Sequence, residues 1–253
     1  MAKGKIIGFG NRDYRLLQRA NDLKYFQIKV KETDLAIGID REAYSDSLVS
    51  LCYNEVQKTR RQLEEYILIH PEFRTSLVPL EMKKGAPDIA VKMAEAASIA
   101  GVGPMAAVAG AVASFLGQIL ESYSREVIIE NGGDIYLHSQ HERVIAIFAG
   151  DSPFSYKIGL KVKSEDTPAG ICTSSGTVGH SLSFGTADAV VIKGKSAILA
   201  DAVATQAGNL IKGKVDLDKA TEYVRSLNEN LSIIAIKEEK MMAWGDIEII
   251  PIE

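Results

Sequence analysis

From Ala96 to Leu120 the chain runs AASIAGVGPMAAVAGAVASFLGQIL without a charged residue, and that stretch limits the available folds more than any other. It is long enough to cross a bilayer. Its chemistry argues for a different place: the apolar residues are mostly Ala and Gly rather than Leu and Ile, Gly103-Pro104 interrupts it, and Ser98, Ser114 and Gln118 lie within it. A pair of helices buried against a sheet satisfies this pattern, and no membrane span is expected. The rest of the chain can supply such a sheet, because 46% of its 253 residues are hydrophobic and 25% charged, the balance of a globular protein.

The flanking sequence reads as an α+β fold, with mixed or antiparallel sheets packed against helices in one domain over 1–253, organised in one or two lobes. Tyr25–Val30 alternates apolar and polar residues, KETD turns, and LAIGID returns. Asp46–Ile69 carries apolar residues at helical spacing and ends at His70-Pro71. A second helix starts with Pro87 in its first position, and the apolar helix resumes after Pro104. Strand-like runs follow at 126–130, 134–137, 143–148 and 156–162. A Thr/Ser/Gly loop is expected at 173–186, a strand at 189–192, and helices at 196–212 and 216–227. The chain closes with a hairpin of 232–236 against 244–250. Strands cluster instead of alternating with helices, which disfavours a doubly wound sheet.

Charge and cysteines narrow the function. A net charge of −4 offers no global field for nucleic acid. Two cysteines, with no secretory segment at the start, fit reduced thiols in the cytoplasm. Cys52 sits in the apolar stripe of its helix and reads as core. Gly208–Val215 has the glycine and lysine spacing of a phosphate loop but ends in Val where a hydroxyl should meet magnesium, and Gly8-Phe9-Gly10 lacks a third glycine. His138 and His141 flank a strand end and read as a solvated turn, not a metal pair.

Two segments carry chemistry. Gly170–Thr186 holds the hydroxyls of Thr173, Ser174, Ser175, Thr177, Ser181, Ser183 and Thr186 among four glycines, which can present N–H and O–H donors to an anion such as a diphosphate, or form a plain surface turn. Cys172 at its front and His180 behind could serve as thiolate and proton partner, the alternative being a small buried residue. In Leu199–Thr205, Asp201 and Thr205 stack at i and i+4 among alanines. A carboxylate and a hydroxyl suit Mg²⁺, and a locally bonded Asp and Thr are the alternative.

Asn131-Gly132-Gly133-Asp134, Cys172-Thr173-Ser174-Ser175-Gly176 and Ala200–Thr205, in this order, resemble the ApbE family of FAD:protein FMN transferases. Phe154–Gly159 is similar to that family's W-x-I-G-I strand. The segments ENGGDIYL and TSSGTVGHS resemble the UPF0280 branch still more closely. The resemblance implies an ApbE-like fold that binds FAD and Mg²⁺. It implies Asp201 and Thr205 as metal ligands joined by a backbone carbonyl near Cys172, and places Asn131, Gly132, Gly133, Asp134, Thr173, Ser174, Ser175, Gly176, Thr177 and Ser181 at the cofactor. The implied partners are a flavin or other phosphate-bearing small molecule and an acceptor protein, with homo-oligomerisation left open. Where the family has K-G-x-A-x-D, this chain has Ala109-Gly110-Ala111-Val112-Ala113-Ser114, and the Asp-Pro pair after the hydroxyl loop is missing. Sulfur chemistry on Cys172 and a non-catalytic nucleotide-binding role therefore stand beside flavin transfer as expectations.

Overall fold

The computed structural model describes residues 22–176 and 184–252. Leu23–Val30 (β1) and Thr33–Asp40 (β2) form the hairpin expected from their alternation. Helix α1, Asp46–Ile69, starts where the Ser45 hydroxyl accepts from the Leu48 amide, and it buries Leu48, Cys52, Val56, Leu63 and Tyr66. The uncharged stretch becomes α2 (Asp88–Ala100) and, after a turn at Pro104–Ala107, α3 (Val108–Leu120). The two are bent by 104° across the Gly-Pro break, and among the described residues no single helix is long and apolar enough to cross a membrane. Small residues let these helices press close to their neighbours, and Ala97, Ala107, Ala111 and Ala113 are fully buried.

Val127–Asn131 (β3), Asp134–His138 (β4), Ala169–Ser174 (β7), Ala189–Gly194 (β8), Ser232–Lys237 (β9) and Lys240–Trp244 (β10) complete an eight-stranded antiparallel sheet ordered β1-β2-β3-β4-β7-β8-β9-β10. Arg143–Ala146 (β5), Ile158–Val162 (β6) and Glu248–Pro251 (β11) make a second sheet, ordered β11-β6-β5. Helices α4 (Ala197–Leu210) and α5 (Leu217–Ser226) join α1 to α3 on one face of the large sheet, and the small sheet covers the other. Strand alternation sorts the side chains between these two cores. Tyr136, Val190, Ile192 and Ile233 face the helices, whereas Ile135, Leu137, Val191 and Ile234 face the small sheet.

Three expectations need correction. Cys172, Thr173 and Ser174 do not open a loop. They end β7, Cys172 paired with both β4 and β8 and Thr173 and Ser174 with β8. Strand β7 is buried on both faces, with Ile171 in one core and Cys172 in the other, so it lacks the alternation that marks a half-exposed strand. The last hairpin is β9 with β10, turning at Glu238, whose φ of 54° suits a tight reversal. The Ile-rich end crosses instead to pair with β6. Pro87 caps α2 in extended conformation rather than forming its first helical residue.

Candidate functional site

The site is built where β3, β4 and β7 end beneath α3 and α4. Gly132 and Gly133, with φ of 69° and 107°, form a two-residue turn that only glycine enters freely. The turn sets Asn131 opposite Asp134 and Asp134 opposite Cys172 in the ladder. All three side chains lie on the helix-facing side of the sheet. Glu130, on the opposite face, reaches back so that its Oε1 accepts from the Gly133 amide at 2.8 Å and fixes the turn.

From above, α4 enters through a tight wedge at Ala197. A Cβ on Gly110 of α3 would meet the Ala197 carbonyl oxygen at 2.3 Å, and one on Gly170 of β7 would meet the Ala197 Cα at 2.2 Å. Glycine at both positions lets the first turn of α4 sit between α3 and the sheet. One turn later, Asp201 reaches the start of α3, where Ala107 supplies no capping side chain. The Gly110 amide donates to Asp201 Oδ2 at 2.8 Å, so α4 provides α3 with its missing N-terminal acceptor. Asn131 fastens the same turn by donating from Nδ2 to the Ala109 carbonyl at 3.1 Å.

Asp201 and Asp134 are both buried, at 8% and 7% exposure. Burial pushes Asp201 up to about 7, opposed by the amides of Gly110 and Ala109. Burial, then the charge of Asp201, push Asp134 well above the usual carboxylate range, and hydrogen bonding from the Cys172 thiol and the Thr173 main chain works the other way. Among the described residues Asp134 Oδ1 has no hydrogen-bond partner. Cys172 is fully buried, with its Sγ 3.3 Å from the Ala197 carbonyl oxygen, so the Asp134 carboxylate and that carbonyl compete for one thiol proton. Burial, followed by the charges of Asp134 and Asp201, holds it as a neutral thiol.

Thr173, Ser174 and Ser175 continue from Cys172 and are half-buried, and Gly176 is exposed. The Gly176 amide donates to the Ala187 carbonyl at 2.9 Å. On the far side of the segment the Phe184 amide donates to Asn209 Oδ1 at 2.9 Å, and the Thr186 amide to the Ile211 carbonyl at 2.8 Å. The hydroxyl segment is thus held at both ends against β8 and the end of α4. Thr177, His180 and Ser181 lie outside the described residues. Thr205, one turn beyond Asp201 on α4, is half-buried. The histidines flagged as a turn stay away from the site: His138 closes β4 at the end opposite Asp134, and His141 is exposed 4.0 Å from Glu126.

Among the described residues no three His, Cys, Asp or Glu side chains form a metal-holding group, neither a nitrogen and sulfur set of the zinc kind nor a cluster of carboxylates. A cation held here would take few of these side chains, with main-chain oxygens, water and phosphate filling its shell, as a hard ion such as Mg²⁺ allows. Sequence spacing pointed to Asp201 and Thr205. It missed the main chain of Ala109-Gly110 and the side chain of Glu130, whose roles depend on contacts that no local pattern displays.

A family model described as AbpE bacteria matches residues 15–230. A UPF0280 protein of Methanococcus aeolicus is 42% identical over 226 residues, covering 87% of this chain and 90% of the relative. One from Methanocaldococcus jannaschii is 38% identical over 226 residues, with 87% and 90% covered. One from Archaeoglobus fulgidus is 36% identical over 230 residues, with 89% and 93% covered. Among solved structures, the ApbE protein of Thermotoga maritima is similar with a TM-score of 0.51 and 13% identity, covering 86% of this chain and 97% of that one. At that identity the likeness establishes an ApbE-like fold.

Proposed function

This chain belongs to the UPF0280 family, and on that premise we propose that it binds FAD together with Mg²⁺ and passes FMN to a Thr or Ser hydroxyl of an acceptor protein. The observation that carries the reading is the pair of buried carboxylates, Asp134 and Asp201, at the foot of the hydroxyl-rich end of β7. Asp201, Thr205 and a main-chain carbonyl beside Cys172 would hold the cation. When bound, Mg²⁺ supplies positive charge to the phosphoryl oxygens as the diphosphate is cleaved.

The protein's own part is positioning. Asn131 and Asp201 clamp the start of α3, which keeps the Asp201 carboxylate aimed at one place. Thr173, Ser174 and Ser175 lead outward from Cys172 and would offer hydroxyl donors to the diphosphate, with Gly176, and with Thr177 and Ser181 outside the described residues, proposed beside it. In the transfer, the acceptor oxygen bonds to the FMN phosphorus, the bond from that phosphorus to the AMP oxygen breaks, and AMP leaves as the hydroxyl proton is released. Cys172 acts as a neutral thiol that packs under Ala197 and touches Asp134, a state unsuited to nucleophilic sulfur chemistry.

Incubation of the protein with FAD, Mg²⁺ and hydroxyl-bearing acceptor proteins is expected to yield AMP and a covalently flavinylated acceptor. A second reading, FAD binding without transfer, is favoured by one observation. Ala109 and Ser114 occupy the positions of the Lys and Asp of the resembled transferases, and Ser114 is buried in α3. Tight FAD binding without release of AMP from FAD in the presence of any acceptor selects this second reading.

A further inference from the structure

We propose that the end of α1, the chain that follows it and the turn between α2 and α3 form one self-association face, occupied by a second copy of this chain. The inference goes beyond the flavin reading and does not depend on it, because the face lies outside the residues gathered at β4, β7 and α4.

Four of the five most exposed large apolar side chains among the described residues lie between positions 68 and 78: Leu68 at 82%, Ile69 and Val78 at 61% and Leu77 at 58%. Leu68 and Ile69 end α1, which stops at His70-Pro71. The following chain folds back around that end. Phe73 packs edge-on against Tyr66 with 5.4 Å between ring centroids, and the Lys83 amide returns to donate to the Tyr66 hydroxyl at 3.0 Å. Between these two anchors, Ser76 and Leu77 cross the turn that joins α2 to α3. A Cβ on Gly103 would meet the Ser76 carbonyl oxygen at 1.8 Å and the Leu77 Cα at 3.1 Å, so glycine is what admits the crossing. Ile99, in the last turn of α2 and 43% exposed, stands four residues before that glycine. The three segments are thus pinned to one another through buried groups while their largest apolar side chains point to water.

Single exposed apolar residues need no explanation, but a cluster does. These five present roughly 500 Å² between them, in the upper range of apolar patches on monomers. In a standard-sized homodimer each partner gives about 800 Å², about 65% of it apolar. The cluster supplies that apolar share almost in full. The charges around it select the partner. Arg61 and Glu65 pair at 4.0 Å on the turn of α1 before Leu68 and Ile69, and Lys83 pairs with Glu72 at 3.5 Å beside the chain that folds back. A two-fold axis sets a patch against itself, so a rim of one sign would repel its own copy, whereas a rim of both signs can place acid against base. An anionic membrane surface calls for a basic rim instead.

The test is sedimentation velocity of the full chain, without flavin or metal, at concentrations up to about 50 µM, since standard-sized interfaces bind at micromolar or tighter. Wild type is expected to sediment as a dimer at the highest concentration. Leu68→Glu places an unpaired charge in the apolar centre of the face and is expected to weaken association about a hundredfold or more, leaving a monomer. Val78→Glu probes the chain that follows α1 in the same way, and far-UV circular dichroism checks that each variant keeps its fold. If either glutamate unfolds the chain, Leu68→Ser removes apolar surface without adding charge and is expected to weaken association about tenfold. Val215→Glu is the control and is expected to stay dimeric. Its side chain is comparably exposed, at 77%, but lies beside Lys214, which pairs with Glu238 and Glu239 at the β9–β10 turn.

A wild-type chain that stays monomeric at the highest concentration overturns the proposal, and flotation of that monomer with vesicles of phosphatidylcholine and phosphatidylserine assigns the face to a lipid surface. A dimer that survives both Leu68→Glu and Val78→Glu, or that is lost in Val215→Glu alone, lies on another face and overturns it equally. All of these results leave the flavin reading standing. Failure of a dimeric wild type to bind FAD removes that reading and spares the face.

Discussion

Replacing Gly110 with Ala tests the wedge that joins the fold to the site. The added Cβ would stand 2.3 Å from the Ala197 carbonyl oxygen and 2.8 Å from its carbon, both main-chain atoms that cannot rotate away. Relief requires α3 and α4 to part by roughly 1 Å, an overpacking displacement that typically costs about 1–3 kcal/mol. The same movement stretches the 2.8 Å hydrogen bond from the Gly110 amide to Asp201 beyond useful length. Loss of a bond to a charged acceptor adds about 1.5–3 kcal/mol. Against these, Ala in a helix is better than Gly by at most about 1 kcal/mol.

The balance is a net loss of about 1.5–5 kcal/mol, which for a chain of this length lowers the melting temperature by roughly 3–20 °C. Thermal and urea unfolding of Gly110→Ala measure it. The double variant with Asp201→Asn should lose less than the sum of the single variants, because both act on one hydrogen bond. A Gly110→Ala protein as stable as wild type would refute the close approach of the two helices and the capping role of Asp201.

Thiol titration with an aromatic disulfide at pH 8 should find neither cysteine reactive in the folded protein and both reactive in urea. Burial pushes Cys52 up to about 11 and Cys172 well above its ordinary value. Rapid modification of native Cys172 would contradict this environment and restore the sulfur reading. Arg143, almost fully buried, pairs with Glu126 at 2.6 Å and with Asp22 at 2.7 Å. Arg143→Gln strands the buried Glu126 and is expected to cost about 3–5 kcal/mol at pH 7. Bonding to Arg143 lowers the Asp22 carboxyl below its ordinary value of 3.8. Its contribution is therefore complete above that value and disappears as pH falls through the lowered one. The destabilisation by Arg143→Gln should accordingly be smaller at pH 3 than at pH 7, by the modest amount expected of a half-exposed partner, and a larger loss at pH 3 would contradict the pairing.

How much of this was legible in the sequence depended on whether the cause was local. The β1–β2 hairpin and α1 declare themselves, because one side of each meets water and the residues alternate with period two or near 3.6. Strand β7 did not, since Gly170 lies under Ala197, Ile171 fills one core and Cys172 the other. Asp201 was visible through its spacing to Thr205, yet its bond to an amide 91 residues away was not. Asp134 was visible as part of a glycine turn. That its Oδ1 is left unpartnered in the interior emerges only when β4, β7 and α4 come together.

The most direct measurement is the affinity of the wild-type protein for FAD, by equilibrium dialysis or flavin fluorescence, in millimolar Mg²⁺ and again in EDTA. If Asp201 and Thr205 hold a cation that receives the diphosphate, binding in Mg²⁺ should be tighter by about tenfold or more, and Asp201→Asn should abolish that difference. Equal affinity in Mg²⁺ and in EDTA would contradict the account.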